Sequence, residues 1–453
     1  MAPADPGSFR DPASRIVHDG DRVLRLLDAR GLEGWRRLAE TEFFSKAVAD
    51  GRLIATREVD DSRPDAAAIL EHPRIPVITY PYEWTFSMLK DAALLQLDLL
   101  AEALAEGITI KDATPFNIQF VRGRPVFIDI GSFEAYRPGE PWLGYRQFTR
   151  QFLFPLMMRA WVGIPFQPWL RGNPEGPTAS EMRQLLPLGR RLRLGGLSHV
   201  VLQARLEQRL SGEAVRNDLR QAGFSAELIL ANVRKLRKLV ESMEWEPTTA
   251  VWTDYDSCSH VGQDRDSKSS FLADSLTRIR PDLLLDLGAN DGHFSLLAAE
   301  HGARAVAVDG DEPVLDHLYR TLAGEEVTPI LADLTNPSPS QGWAGKERPG
   351  LFERVRPDLV VAYGLIHHLI YTASVPPPEV IEWLASFGCP VVVEFVGPQD
   401  PMIGRLTANK EEAELHPGRT EEEFRSLVAG RFNIASEEAL PSGHRRVFAL
   451  LPL

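Results

Sequence analysis

Cysteine is nearly absent from this sequence. Only Cys258 and Cys389 occur among the 453 residues, which excludes a disulfide framework. Such sparing use of cysteine fits a reducing compartment, and we expect the protein in the cytoplasm. His260 stands near Cys258, but no second pair of ligands lies close to them in the sequence, so a zinc site is not predicted.

Long uncharged apolar runs and a secretory signal are also missing. Residues 1–6 lack the positively charged and apolar regions of such a signal. One apolar stretch, 151–170, is long enough to span a bilayer, but it has Arg159 at its centre and three prolines. We therefore predict a buried helix broken by proline, and no membrane span.

Positive charge is scarce as well. Lys and Arg number 50 against 63 Asp and Glu, and the net charge of −13 argues against a nucleic-acid partner. The basic cluster 234–238 lies in a predicted amphipathic helix, 226–242, so its charges are expected to face water. The charged fraction of 25% is that of a soluble globular protein, and the length predicts two domains.

A glycine turn between an apolar run and a helix-forming run dominates the second half. Residues 283–287 predict a strand, and Gly288 and Gly292 lie in the turn that follows it. Glycine lets the backbone turn tightly and lets a ligand approach closely. The next predicted strand, 303–308, ends on Asp309, about twenty residues after the turn, where a carboxylate can accept both hydroxyls of a ribose.

The spacing of these glycines discriminates between nucleotide ligands. A dinucleotide fingerprint has a second glycine two residues after the first, and this chain has Asn290 there. The pattern instead resembles motif I of the class I S-adenosylmethionine-dependent methyltransferases, and the resemblance covers roughly 281–453. A doubly wound fold that binds another nucleotide is the alternative.

The resemblance implies an α/β fold with a Rossmann-like, seven-stranded methyltransferase sheet. Its last two strands, 432–437 and 446–450, would form an antiparallel pair. The implied cofactor is S-adenosyl-L-methionine. The residues that the resemblance and the surrounding polar segment assign to the cofactor are Asp286, Gly288, Ala289, Asn290, Gly292, Asp309, Gly310, Asp333, Leu334, Tyr363, Tyr255 and Lys268.

Candidate acceptor-side residues follow the next two strands. His367 and His368 stand just beyond the predicted fourth strand, at the edge where open α/β sheets bind ligands. A histidine suits the task of removing a proton from a hydroxyl or an ammonium acceptor. Glu394, after a predicted strand at 390–393, could bind the acceptor. Capping or packing roles for both histidines remain the alternative.

The first half contains a second constellation. Asn117 follows Asp112 by five residues, and Asp129 follows twelve residues later, after a predicted hairpin. This layout resembles the C-lobe of protein kinases and aminoglycoside-type phosphotransferases, in which the first Asp is the base and the other two residues bind metal. If the domain is active, Asp112 would be catalytic, and Asn117 and Asp129 would be metal ligands. An accidental match in an Asp- and Asn-rich turn is the alternative.

Other parts of a phosphotransferase are poorly represented. No glycine-rich loop precedes these residues, and Lys46 falls in a helical pattern, although Arg22 or Arg25 could supply the missing cation.

Local patterns predict further elements of the first half. Asp19 and Gly20 lie between two strand-like runs and predict a hairpin turn. Helices are predicted over 34–49 and 85–106, and a strand is predicted over 77–80. We expect an α+β, mostly helical, kinase-like domain over 1–245, possibly degenerate, and a methyltransferase domain over 246–453.

The function expected from these features is transfer of a methyl group from S-adenosylmethionine to a small-molecule or sugar-like acceptor. The acidic charge and the lack of a nucleic-acid motif favour such an acceptor. The kinase-like domain would recruit it. A bifunctional methyltransferase and phosphotransferase, or a non-catalytic scaffold that binds the cofactor, are the alternatives.

Overall fold

The computed structural model describes residues 4–61, 63, 66–191, 194–203, 225–246, 261–411 and 415–453. The chain divides into two compact units. The first contains Met1–Glu246 together with Ser340–Pro349, and the second contains Pro247–Pro339 and Gly350–Leu453.

A four-stranded antiparallel sheet of order β1-β2-β4-β3 opens the first unit. Gly20, at φ 58°, makes the turn between its first two strands, which confirms the predicted hairpin. Two further antiparallel pairs, β5 with β8 and β6 with β7, follow. The strands are β1 (Ser14–Asp19), β2 (Arg22–Leu27), β3 (Arg57–Val59), β4 (Ala68–His72), β5 (Ile108–Ile110), β6 (Ile118–Val121), β7 (Arg124–Phe127) and β8 (Phe133–Ala135).

One predicted strand of this unit is wrong. Residues 77–80 are irregular, although Val77 and Thr79 are buried. The Gln119 side chain replaces a strand partner, because its Oε1 accepts from Thr79 N at 2.7 Å and its Nε2 donates to Thr79 O at 3.0 Å. Buried backbone groups must be paired, and here a side chain satisfies them.

The helices of the first unit differ from the prediction mainly near their ends. The predicted helix over 85–106 is confirmed as α3, which Thr85 caps by accepting from Met88 N. The single helix predicted over 34–49 is two helices, because Thr41 starts a second one by accepting from Phe44 N. The α-helices are α1 (Ala29–Ala39), α2 (Glu42–Ala49), α3 (Phe86–Ala105), α4 (Tyr145–Phe148), α5 (Phe154–Met157), α6 (Gln167–Gly172), α7 (Ala179–Leu185), α8 (Leu188–Arg191), α9 (Leu194–Gly196) and α10 (Ala226–Glu241).

The long apolar stretch forms a buried helical run, as predicted. From 145 to 162, α-helical turns alternate with the π-helical segments Thr149–Leu153 and Met158–Val162. The run ends at Gly163, at φ 82°. Pro155 does not end it, and lies in the first turn of α5, just after the π-helical segment Thr149–Leu153. Among the described residues, no helix has both the length and the apolar character needed to cross a bilayer.

The segment Ser340–Pro349 belongs to the first unit, although it follows a strand of the second unit, Val327–Leu331, in sequence. Arg10 donates two hydrogen bonds to Glu347, each of 2.9 Å, and this pairing holds the pKa of that carboxyl at about 2. Arg348 lies 4.2 Å from the centre of the Phe116 ring. No motif in the sequence indicated this packing.

A seven-stranded mixed sheet organises the second unit, in the order β11-β10-β9-β12-β13-β15-β14. The last two strands pair with each other in antiparallel fashion, and β15 is also antiparallel to β13. The predicted seven-stranded sheet and its terminal hairpin are therefore confirmed. The strands are β9 (Leu283–Leu287), β10 (Arg304–Asp309), β11 (Val327–Leu331), β12 (Leu359–Ala362), β13 (Val391–Val396), β14 (Phe432–Ala439) and β15 (Arg445–Pro452).

Helices connect the parallel strands of this sheet. Every residue of β9, β12 and β13 is buried, as expected for parallel strands that are covered on both faces. The α-helices are α11 (Val261–Ile279), α12 (His293–Glu300), α13 (Glu312–Thr321), α14 (Leu351–Arg354), α15 (Pro377–Ala385), α16 (Pro401–Thr407) and α17 (Glu421–Ala429), and a π-helical segment covers His368–Thr372.

One charged residue interrupts the apolar run of β9. Asp286 is 1% exposed, and Ser295 Oγ in α12 donates to its Oδ2 at 2.7 Å. Burial raises the pKa of Asp286 to about 7. This hydrogen bond links β9 to α12, the helix that follows the glycine turn. The carboxyl group itself is buried in an apolar sheet.

We predict that Asp286→Asn stabilises the protein increasingly as the pH rises. Between about pH 4 and pH 7 the folded wild type keeps a proton on Asp286 that the unfolded chain releases, so its stability falls by up to about 1.4 kcal/mol per pH unit. The asparagine cannot ionise and avoids this loss. Denaturant unfolding of both proteins without cofactor, at pH 5 and pH 8, measures the difference. An equal gain or loss at both pH values would contradict the assignment.

Candidate active site

The glycine turn after β9 has an unusual backbone. Gly288, Asn290 and Gly292 have φ values of 76°, 50° and 77°, in the left-handed region that favours glycine. Gly288 N and Ala289 N both donate to Val308 O of the next strand, at 2.9 and 3.0 Å. The turn is thereby fixed against the end of β10.

Asp309, at the end of β10, completes this arrangement. Its Oδ2 accepts from Asn290 N and its Oδ1 accepts from Asp311 N, both at 2.8 Å. Burial raises the pKa of Asp309, and these backbone bonds act in the opposite direction by favouring the charged form. The carboxylate therefore orients the turn and remains at the strand end, where a ligand can reach it.

Asp333 occupies the corresponding place after β11. It is exposed, and its Oδ1 accepts from Thr335 N at 2.8 Å and from Thr335 Oγ1 at 2.7 Å. Asp309 pairs with Leu331 in the parallel register of β10 and β11, so the two carboxylates follow neighbouring strands at the same edge of the sheet.

A cavity of about 1250 Å³ lies at this edge. Its size exceeds that of a typical small-ligand pocket. It brings together most of the residues predicted from the sequence. Those among its described lining residues are Lys268, Gly288, Ala289, Asn290, Asp309, Gly310, Asp333, Leu334, Tyr363 and His368.

Other predicted residues are not among the described lining residues. Asp286 is buried within β9, and Gly292 starts α12, where a Cβ would lie 2.6 Å from the Leu318 side chain. His367 and Glu394 are 1% and 0% exposed. Tyr255 lies outside the described residues.

Glu394 lies inside β13, and not after the strand as predicted. Its Oε2 accepts from Gly364 N at 2.7 Å and lies 2.7 Å from Lys268 Nζ, and its Oε1 lies 3.2 Å from Arg445 Nη1. Burial alone would raise the pKa of Glu394, but Lys268 and Arg445 hold it below its usual range. Glu394 is therefore a charged carboxylate between two cations.

His367 and His368 differ in position. His368 lines the cavity, and burial together with Arg445 lowers its pKa to about 4. His367 is buried behind it, with 4.2 Å between the ring centres, and burial lowers its pKa well below the usual range. Within the described part of the chain, neither ring nitrogen of His367 has a hydrogen-bond partner. Both imidazoles are neutral near pH 7, and the lowered pKa makes each a weaker base than an ordinary histidine.

Sequence reasoning missed the side of the cavity formed by α16 and by the turn between β14 and β15. The sequence Asp400-Pro401 by itself indicates turn chemistry, and Asp400 does cap α16 by accepting from Met402 N at 2.8 Å. It also lies 2.7 Å from Arg445 Nε. The only available signal was the position of Asp400 after a strand at the ligand-binding edge. The missed lining residues on this side are Asp400, Pro401, Met402, Arg405, Ser442, His444 and Arg445.

In the first unit, the predicted kinase-like residues are neighbours. Asn117 Nδ2 donates to Ser132 Oγ at 3.0 Å, and Ser132 Oγ donates to Asp129 Oδ2 at 2.6 Å. Arg25 Nη2 lies 2.9 Å from Asp129 Oδ1. Burial raises the pKa of Asp112, and the charge of Asp129 adds to this rise. A guanidinium thus already neutralises the carboxylate that was expected to bind metal.

Within the ranges that the structure describes, no three His, Cys, Asp or Glu side chains are grouped so that they could hold a metal ion. The predicted ligands Asn117 and Asp129 would need further donors.

No protein-family model matches this chain. Among solved structures, magnesium protoporphyrin IX methyltransferase (ChlM) from Synechocystis PCC 6803, with bound SAH, is similar over 49% of this chain and 95% of its own, at 14% identity and a TM-score of 0.31. The N-methyltransferase NodS from Bradyrhizobium japonicum WM9 is similar over 42% of this chain and 98% of its own, at 12% identity and a TM-score of 0.30.

One curated relative is similar over almost the whole length of both proteins. The nodulation protein NoeA of Rhizobium meliloti (strain 1021) is 32% identical over 456 residues, which is 98% of this chain and 94% of NoeA. Identity at this level along both units establishes common descent, and the chain belongs to the NoeA family.

Proposed function

We propose that this protein transfers a methyl group from S-adenosylmethionine to a small-molecule or sugar-like acceptor. The observation that supports the proposal is the convergence of the glycine turn, Asp309 and Asp333 on one cavity at the carboxyl ends of parallel strands. Open α/β sheets bind their ligands at this edge.

The residues present fit the cofactor. Gly288 lines the cavity without a side chain, so its backbone can approach the methionine part. Asp309 would accept from the ribose hydroxyls, and Asp333 would contact the adenine. When bound, the cofactor supplies a methyl group that its positive sulfur already activates for attack.

The other side of the cavity suits an acceptor. Methyl transfer depends on holding the nucleophile in line and excluding water. The apolar side chains of Leu365, Leu369 and Met402 line this side together with His368. Because its imidazole is neutral near pH 7, His368 would take the proton from a hydroxyl or an ammonium acceptor.

For the first unit, the proposal is a kinase-like domain that recruits the acceptor and does not transfer phosphate. The supporting observation is the contact of 2.9 Å between Arg25 and Asp129, in which a buried guanidinium neutralises the second Asp of the motif. Because NoeA is named a nodulation protein, nodulation is the process in which we would search for the acceptor.

We expect calorimetry to show binding of S-adenosylmethionine, and Asp309→Ala to weaken it roughly 10- to 150-fold, or about 1.5 to 3 kcal/mol. The alanine removes the acceptor for the ribose and for the N–H groups of Asn290 and Asp311. Asp309→Asn keeps one acceptor oxygen and is expected to have an intermediate effect. Unchanged affinity in the alanine variant would remove Asp309 from the site.

We expect His368→Gln to lower turnover while S-adenosylmethionine affinity stays within about twofold, since the residue acts on the acceptor. Isotopically labelled cofactor, a bacterial metabolite extract and mass spectrometry would identify the product and measure the rate. The wild-type rate should fall only as the pH approaches about 4, because the pKa of about 4 keeps His368 largely neutral above that pH. His367→Gln is the matched control, because His367 is buried behind His368. An equal loss of turnover in both variants would indicate that His368 acts only through packing.

The alternative, a bifunctional methyltransferase and phosphotransferase, makes the opposite prediction for ATP. We expect no magnesium-dependent ATP binding by calorimetry, because Arg25 already pairs with Asp129. Magnesium-dependent binding that Asp129→Ala abolishes would favour the bifunctional enzyme. If the wild type and Asp129→Ala gave the same weak calorimetric signal, any bound nucleotide would lie at a site that does not involve Asp129.

A further inference from the structure

Two cations of the cavity wall share one buried carboxylate. Lys268 comes from α11 and Arg445 from the start of β15, and both line the cavity. Glu394 reaches both from β13, one oxygen to each. A buried carboxylate is tolerated only when charges and hydrogen bonds compensate it, and Gly364 N provides a further bond.

This sharing restricts two side chains that would otherwise be mobile. Free Lys and Arg side chains adopt many rotamers, and fixing them costs conformational entropy. The side chains of Lys268 and Arg445 are only 12% and 13% exposed. Glu394 holds the charged end of Lys268, and Glu394 and Asp400 together hold that of Arg445. An ammonium has three N–H donors, so Lys268 retains donors for a ligand oxygen after it has bonded to Glu394.

The same geometry excludes Glu394 as the base that removes a proton from the acceptor. A base must reach the proton that it removes. Glu394 is 0% exposed, both of its oxygens are engaged, and it is not among the described lining residues. His368, which does line the cavity, is the group that faces the acceptor.

We propose that Glu394 is a positioning residue, which holds Lys268 in the cavity wall so that the remaining N–H groups of the Lys268 ammonium bind an oxygen of the methyl acceptor. This inference rests on the proposed methyl transfer. It assigns Lys268 to the acceptor and not to the cofactor, and it makes an acceptor with an exposed hydroxyl or carboxylate oxygen the expected class.

The side-chain ammonium of Lys268 provides a direct test. The protein has only eight lysines, so the Nζ resonances of ¹⁵N-lysine-labelled protein can be resolved, and Lys268→Arg assigns the signal. An ammonium held by a buried carboxylate exchanges its protons slowly enough to be observed. We expect this signal in the wild type and its loss in Glu394→Gln. Asp400→Asn is the matched control, because Asp400 contacts Arg445 and not Lys268, and it should leave the signal in place.

Turnover provides the second readout. Glu394→Gln is expected to lower the methyl-transfer rate roughly tenfold, with S-adenosylmethionine affinity within about twofold. Lys268→Met breaks the same contact from the cavity side, so it serves if the first variant does not fold. The double variant should lose no more than either single one, because both changes remove one interaction.

Two results would overturn the proposal: an unchanged Lys268 signal in Glu394→Gln, or a loss of cofactor affinity as large as that of Asp309→Ala. Failure of the wild type to bind S-adenosylmethionine would instead defeat the proposed function. In that case the ammonium signal still decides whether Glu394 holds Lys268.

Discussion

The bonds between the Asp309 carboxylate and the backbone N–H groups of Asn290 and Asp311 are the contacts on which the site of the second unit depends. A largely buried carboxylate at the end of a strand needs hydrogen-bond donors to remain charged. The glycine turn supplies one of them only because its backbone takes the left-handed conformation at Gly288 and Gly292. Turn and carboxylate therefore fix each other, and a ligand meets a preorganised edge.

The topology of the sheet explains why distant parts of the chain meet at this edge. Parallel strands direct their carboxyl ends to one side, which accounts for the glycine turn, Asp309 and Asp333. The antiparallel β15 runs the other way, so its first residue, Arg445, lies opposite Val396 at the end of β13. Because β15 is antiparallel, its first residue adds a guanidinium to the cavity edge at which the parallel strands end.

In the first unit, residues of the predicted phosphotransferase-like motif lie together, and an arginine neutralises one of them. Asp129 and Asn117 are linked through Ser132, as the spacing led us to expect for neighbours. Arg25 was considered as a substitute for the missing lysine, and it does lie beside Asp129. A guanidinium is always charged and bonds to carboxylates in a fixed geometry, so it neutralises this site permanently.

The sequence by itself determined the features that depend on neighbouring residues: the strand, glycine turn and helix after 283, the acid at the end of the next strand, and the hairpin at Gly20. Only the tertiary structure decided features that depend on distant partners. It placed Glu394 inside a strand, divided the histidine pair into a cavity-lining ring and a fully buried ring, and satisfied the backbone of Thr79 with a glutamine side chain from β6. Local patterns report backbone conformation and periodic burial, whereas hydrogen bonds and ion pairs between elements depend on which strand ends the fold brings together.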